Sequence, residues 1–359
     1  MKVKNWKDKG ISLYGRENYD EAIKCFDKAI ELNPEDEEAW NYKGETFLVI
    51  GKYEEAIECY ERVININPEN AKAWYNKGIS LHFLGKLGEA LDCYEKAIEI
   101  DSNYANAWRD KGDSLQELGR YDESLICYDK ALELNPDNYR SWSSKGYALY
   151  NLGRLDESVK CYEQAIKINP EYGLAWKGKG LVLLNQGMLT QALTSFERAL
   201  ELDPKDAEAW NYRGLTLYSK GDERCIESYD KALEINPNYT HAWKNKGTYL
   251  LNQCRYEEAL ECFDKAIELD PEDEIAWFSK GVALYSLEML GESIKCFDKA
   301  LELKPNLSDA WSSKGYSLKD LGMYEEALKS FEMALKIDQE NLDAKEGMQE
   351  VLKAMKKST

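Results

Sequence analysis

Nine cysteines and two histidines are the residues of this 359-residue chain best suited to ligating a metal or attacking a substrate, and 66 carboxylates are available for acid–base work. Their spacing removes most of that chemistry. Cys25, Cys59, Cys93, Cys127, Cys161, Cys262 and Cys296 all occupy one position of a recurring unit. Units that stack as packed helices sit about 10 Å apart. A disulfide closes only across roughly 7 Å between Cα atoms. The ladder therefore makes neither disulfides nor a shared metal site, and each thiol is a small buried filler. Cys225 and Cys254 fall outside it and are the only candidates for a reactive thiol. His82 and His241 lie about five units apart with no ligand-spaced partner, so no zinc site follows. The recurrent Lys-Gly pair lacks the spacing of a phosphate-binding loop. Solvated helix faces account for the carboxylates. The expectation is a protein that is not an enzyme and holds no cofactor and no metal.

The tryptophans show what the unit is. They stand at Trp6, Trp40, Trp74, Trp108, Trp142, Trp176, Trp210, Trp243, Trp277 and Trp311, and every gap is 34 residues except one of 33 before Trp243. Self-similarity at such a period takes precedence over any division into ordinary domains. Aligned on Trp, the units run 3–36, 37–70, 71–104, 105–138, 139–172, 173–206, 207–239, 240–273, 274–307 and 308–341. In the second, Trp40, Gly44 and Phe47 recur at helical spacing and line one face of a first helix. Gly51 ends that helix. Ala56, Tyr60, Val63 and Ile64 line one face of a second helix, and Pro68 stops it. Gly44 and Ala56 leave room for the Tyr60 ring. Ordering the 34 residues of one pair costs about 50 kcal/mol at about 1.5 kcal/mol per residue. Two short helices cannot offset that alone, so neighbours must stack on both sides. Residues 342–359 carry Leu342, Met348, Val351, Leu352 and Met355 among charges, a pattern for a C-terminal capping helix.

The Trp, Gly, Ala, aromatic and Pro columns resemble the tetratricopeptide repeat family over essentially the whole chain. The resemblance implies an all-α fold, an α-α superhelix (solenoid) of antiparallel helix pairs. It also implies that first helices line a concave groove receiving peptides or extended protein segments. The expected function is thus a non-enzymatic interaction module or adaptor. The alternative is a multi-subunit scaffold using both faces. Some family members grip a chaperone's C-terminal carboxylate with Lys and Asn four residues apart. Here Lys7 is followed by Ile11, Lys177 by Leu181 and Lys244 by Thr248, so that role is not expected.

Composition narrows the partners. The net charge of −19 opposes nucleic acid and anionic membranes. The start, Met1-Lys2-Val3-Lys4-Asn5-Trp6, has no apolar stretch after its lysines, which argues against a signal peptide. No run approaches the roughly 18 apolar residues of a membrane helix. The expectation is a cytoplasmic monomer with a protein or peptide partner.

Two further columns are ionic. The third residue after each Trp is basic in all ten units, where the family usually has Leu. The residue after each second-helix aromatic is acidic in all ten. Counting along antiparallel neighbours predicts inter-repeat pairs Asp27–Lys43, Glu61–Lys77, Glu95–Lys111 and onward to Asp298–Lys314. Positions that vary between units are free to recognise something. On the first helix these are charged early, at Lys7, Arg109, Asp113, Glu117 and Arg140. They turn apolar and aromatic from the fifth unit. The expected groove residues are Tyr147, Tyr150, Asn151, Leu181, Leu184, Asn185, Asn211, Leu215, Tyr218, Leu251, Asn252, Phe278, Val282 and Tyr285. The asparagines could pair with a peptide backbone. The seventh unit is one residue short around Ser219–Ile226, which predicts a hairpin without its apolar plug.

Overall fold

A computed structural model describes residues 2–358, with side chains from 5 to 356. Met1, at the expected leaderless start, and Thr359, the last residue of the expected C-terminal helix, lie outside the described residues. Those described are all-α. The first helices pair with second helices in order: α1 (Lys2–Tyr14) with α2 (Tyr19–Leu32), α3 (Glu37–Val49) with α4 (Tyr53–Ile66), and α5 (Ala71–Phe83) with α6 (Leu87–Ile100). Then come α7 (Ala105–Glu117) with α8 (Tyr121–Leu134), and α9 (Tyr139–Asn151) with α10 (Leu155–Ile168). After α11 (Gly173–Asn185) and α12 (Leu189–Leu202) follow α13 (Ala207–Ser219) with α14 (Cys225–Ile235), and α15 (Thr240–Asn252) with α16 (Tyr256–Leu269). The last are α17 (Glu274–Ser286) with α18 (Leu290–Leu303), α19 (Ser308–Asp320) with α20 (Tyr324–Ile337), and α21 (Leu342–Ser358). The chain forms two compact units, one ending at Val182 and the other beginning at Leu183.

The local reasons repeat from pair to pair. Asp36 caps α3 by accepting from the Ala39 amide at 3.1 Å, a contribution of about 1 kcal/mol. The Trp40 indole N–H donates to the Pro34 carbonyl at 2.9 Å and ties down the loop that enters the helix. All eight prolines of the chain accept from a Trp in this way. After the first helix, Gly51 takes φ +77°, a left-handed value that costs other residues about 1–2 kcal/mol. Glu17, Cys254 and Glu288 hold the equivalent turn at φ 57–59°, so the turn forms even where its glycine is missing.

Within the pairs the core is small against large. Tyr60, Tyr94, Tyr128, Phe263 and Phe297 are fully buried. A Cβ on Gly44 would meet Tyr60 Cε1 at 2.8 Å, which is why glycine faces each ring. The cysteine ladder is buried, and burial pushes the Cys59 thiol up to about 12 and Cys161 to about 11. These thiols are packing atoms, not nucleophiles. Cys225 is buried as well and raised to about 11 by burial. It occupies the small-residue position that Ala56 holds in its own unit, which removes it as a reactive-thiol candidate. The short seventh unit shows as a shorter helix. α14 has 11 residues against 14 in α12 and α16, and Asp222 closes the turn by accepting from the Arg224 amide and guanidinium at 3.0 Å.

Within each unit successive first helices touch: α1 meets α3, α5 meets α7, α13 meets α15, and α17 meets α19. No second helix meets the next second helix among the described residues. First helices therefore line the inner, tighter side of each unit.

The ionic ladder is present. Nζ–carboxylate distances are 2.7 Å for Asp27–Lys43, 2.8 Å for Glu61–Lys77, 2.8 Å for Glu163–Lys179, 2.6 Å for Asp230–Lys246 and 2.5 Å for Asp298–Lys314. Glu95–Lys111 and Glu197–Arg213 are longer, at 3.6 and 3.7 Å. The cations also lie over the indoles of their own repeats: Lys43 is 5.2 Å from the Trp40 centroid, Arg213 is 5.5 Å from Trp210, and Lys314 is 5.2 Å from Trp311. Lys43, Arg213 and Lys314 are thus each held between their own tryptophan and the preceding repeat's acid. A partly exposed pair contributes about 0–1 kcal/mol, and the ring about 0.5–1 kcal/mol more. Lys280→Met should cost about 1 kcal/mol in urea unfolding. A double-mutant cycle with Asp264→Asn should give a coupling of about 0.2–1 kcal/mol. Zero coupling would reduce the column to stem packing.

Candidate functional site

The first-helix residues of the expected groove divide between the two units. In the first unit Tyr147 is 44% exposed, Asn151 is exposed, and Tyr150 and Leu181 are partly buried. In the second unit Leu184, Leu215, Tyr218, Leu251, Phe278, Val282 and Tyr285 are partly buried, while Asn185 and Asn252 are exposed.

Several of these side chains also serve the fold. Tyr218 and Leu251 pack against the core formed by Leu217, Tyr249 and Phe263. Tyr150 packs against the core around Tyr162 and Val182. The Phe278 ring lies 5.9 Å from Phe297. Tyr285 donates its hydroxyl to Asp320 Oδ2 at 2.7 Å, one repeat on. Asn252 Nδ2 donates to the Tyr218 hydroxyl at 2.5 Å, and Asn151 Nδ2 donates to the Tyr147 carbonyl in its own helix at 2.9 Å.

Asn211 requires a correction. It is only 3% exposed, and its Oδ1 accepts from Asn245 Nδ2 at 2.9 Å. Asn245, two residues after Trp243 in the next repeat, holds it, so it is an inter-repeat strut and not an open groove position.

The charged early part of the stripe encloses a cavity of about 380 Å³, wholly within the first unit. Tyr75, Phe83, Tyr94, Arg109, Asp113 and Tyr172 are among its walls. α7 supplies Arg109, Asp110 and Asp113, and α9 adds Arg140. Arg109 and Asp110 are joined at 2.6 Å through Nη2 and Oδ1. The other oxygen of Asp110 accepts from the Tyr75 hydroxyl at 2.7 Å. Asp113, one turn along, accepts from the Tyr128 hydroxyl at 2.8 Å and from Ser144. Arg109 Nε stays 3.9 Å from Asp113 Oδ2, beyond hydrogen-bond reach. His82 meets the Ser114 hydroxyl at 2.8 Å and Glu117 at 3.2 Å. None of the sequence columns brings these groups together. The only early signal was that Arg109, Asp113, Glu117 and Arg140 break the apolar trend of the stripe.

Desolvation by the cavity walls, followed by the charge of Asp110, raises the Asp113 carboxyl above its ordinary value. A carboxyl raised in the folded state binds its proton there to higher pH than when unfolded. Its contribution to stability is present at acid pH and is lost as pH rises through the folded value. Asp113→Asn carries no such loss and keeps an oxygen for Tyr128. The variant's melting temperature should therefore gain on the wild type as pH goes from about 4 to 7. The gain should be about 1–3 °C, discounted because 34% of the Asp113 side chain remains accessible. Parallel thermal melts across that range check it; a gap that narrows with rising pH contradicts it.

No described helix is long and apolar enough to cross a membrane. The tetratricopeptide repeat family matches residues 69–134, 109–173, 144–193, 180–221, 241–273, 275–307 and 308–341, well over half of the chain. Residues 15–97 match the family described as subunit 3 of the anaphase-promoting complex, cyclosome. None of the curated proteins matches. Among solved structures, YrrB, described as a TPR protein with an unusual peptide-binding site, is 30% identical. That match covers 52% of this chain and 96% of YrrB, with a TM-score of 0.44. A tetratricopeptide repeat protein from Parabacteroides merdae is 19% identical over 69% of this chain and 98% of its own, with a TM-score of 0.56. The APC/C hetero-tetramer Cut9–Hcn1 is 13% identical over 98% of this chain and 96% of its own, with a TM-score of 0.54. The last two share the fold alone.

Proposed function

We propose that this chain, which belongs to the tetratricopeptide repeat family, is a non-enzymatic adaptor that holds an extended segment of a protein partner on the first-helix faces of its repeats. Proteins with this fold serve protein–protein interaction. The observation that carries the finer reading is the run of apolar and aromatic first-helix residues left partly open on the inner side of the second unit. Leu215, Tyr218, Leu251, Val282 and Tyr285 lead it. In the first unit Tyr147, Tyr150 and Leu181 offer a shorter surface of the same kind. Aromatic side chains with a polar tip give large contact area at small entropic cost. Asn151, Asn185 and Asn252 lie on the same helices and add amide groups to that surface. We place the adaptor in the cytoplasm as a monomer, with neither nucleic acid nor membrane as partner, in keeping with its −19 charge.

Capture from native cell extract followed by cross-link mapping tests this. Cross-links from one dominant partner to first helices support the adaptor. Exposed apolar residues on second helices, such as Ile126 on α8, favour a second reading, a scaffold bridging several subunits. Several partners cross-linked mainly to second helices would select that reading instead.

A further inference from the structure

The shortened seventh repeat lacks a side chain that the second helices of the other repeats share. α2, α4, α6, α8, α10, α12, α16, α18 and α20 all open on a tyrosine or a leucine. That first side chain plugs the hairpin: Tyr121, Leu155 and Tyr324 pack against the cores beside them. α14 opens instead on Cys225, because the missing residue is the plug. An open gap would uncover Cys225, yet Cys225 has no accessible surface.

The eighth repeat supplies the filler. Six residues after Trp, the other repeats carry a small side chain. Thr46, Ser80, Ser114, Ala148, Val182, Thr216, Ala283 and Ser317 are none larger than valine, and all are fully buried. The column faces the preceding repeat, since Ser317 Oγ lies 2.9 Å from Ser293 Oγ on α18. In the eighth repeat this position is Tyr249, and Cys225 holds the place of Ser293 in the seventh. Tyr249 and Cys225 lie in one buried cluster with Leu217. Tyr249 is 8% exposed, and its ring meets Tyr218 of α13 edge-on, 6.4 Å between centroids. Burial, followed by Cys225 and by Glu223 of the shortened turn, raises its hydroxyl above the ordinary value. The tip of the ring therefore reaches the deletion.

We propose that Tyr249 plugs the seventh hairpin from the eighth repeat, so that the deletion is a lock between the pairs α13–α14 and α15–α16 and not a hinge. Without the ring, the side chains around the gap would lose their contacts on one side. A plug borrowed from the next repeat cannot leave without uncovering the core it seals, so the two pairs open as one cooperative unit. Tyr218 and Leu251 of the proposed groove border the same core, and the lock fixes their spacing. That consequence rests on the groove reading, whereas the lock itself does not.

Cys225 reports on the seal. The full chain is labelled with N-ethylmaleimide under native conditions, and each cysteine is followed by mass spectrometry. In the wild type the exposed Cys254 should react first, and Cys225 should react no faster than the buried Cys161. Tyr249→Ser gives the column its usual small residue and should speed Cys225 by about tenfold or more, leaving Cys59 and Cys161 unchanged. Tyr249→Phe keeps the ring and should label like the wild type. A leucine inserted between Asp222 and Glu223 restores the full-length repeat. Alone it competes with Tyr249 for one space and should also uncover Cys225. Combined with Tyr249→Ser it should return Cys225 to the slow rate, and this rescue separates a lost plug from a variant that merely unfolds. Wild-type Cys225 reacting as fast as Cys254 would mean a hinge and overturns the proposal. Slow labelling of Cys225 in Tyr249→Ser, fast labelling in Tyr249→Phe, or failure of the insertion to rescue Tyr249→Ser overturns it as well.

Discussion

Phe297→Ala should destabilise the second unit by about 3–5 kcal/mol, the range for removing a fully buried ring. Phe297 lies on α18 with no exposed surface. Its ring fills the space that glycine leaves on α17: a Cβ on Gly281 would stand 2.6 Å from Phe297 Cε1. Truncation therefore removes atoms from a site whose opposite wall is backbone and cannot lean in to close the gap. Phe278, 5.9 Å away between ring centroids, is the aromatic neighbour of this ring among the described residues. The reverse error tests the same fit. Gly281→Val crowds the ring and should cost about 1–3 kcal/mol through overpacking. Urea unfolding followed by circular dichroism gives both values. A loss below about 1 kcal/mol for Phe297→Ala would mean that the repeats pack loosely enough to collapse around a missing ring.

The second large effect concerns partner capture. Leu215→Asp combined with Val282→Asp should weaken binding of a captured partner more than a hundredfold. Both residues are partly buried on first helices of the second unit, five positions after Trp210 and Trp277, where side chains vary between repeats. A carboxylate forced against an apolar partner surface costs about 2 kcal/mol or more at each site. Two such sites exceed the roughly 2.7 kcal/mol that corresponds to a hundredfold loss. Neither substitution enters the glycine–aromatic core, so helicity and melting temperature should stay near those of the wild type. Undiminished capture by a folded double variant would remove this surface from the interaction. A parallel Leu181→Asp variant reports on the first unit separately.

The repeat explains why some positions could be read in advance. A residue shared by all units meets the same neighbours in each of them, so its role follows from period and helix geometry alone. Trp40, Gly44, Tyr60 and Pro68 defined their helix pair in this way. The ionic columns defined contacts such as Asp230–Lys246, because one register repeated down a stack must place acid beside base every time. The cysteine column was legible as filler for the same reason.

Exposure at the variable positions was not legible, because it depends on which side chains three successive repeats bring to one place. Asn211 looked open, yet the next repeat's Asn245 closes over it. Asn252 looked like a hook for a peptide backbone, yet it reaches one repeat back to the Tyr218 hydroxyl. Asp113 gains its environment from Tyr128 on α8 and from a cavity whose walls run from Tyr75 to Tyr172. By itself the sequence determined the period, the helix pairs, the core columns and the ionic ladder, all of which depend on nearest neighbours in a regular register. Only the tertiary structure decided where the inner surface is open and where it is charged and hollow, because there non-repeating side chains from several repeats converge and compete for the same space.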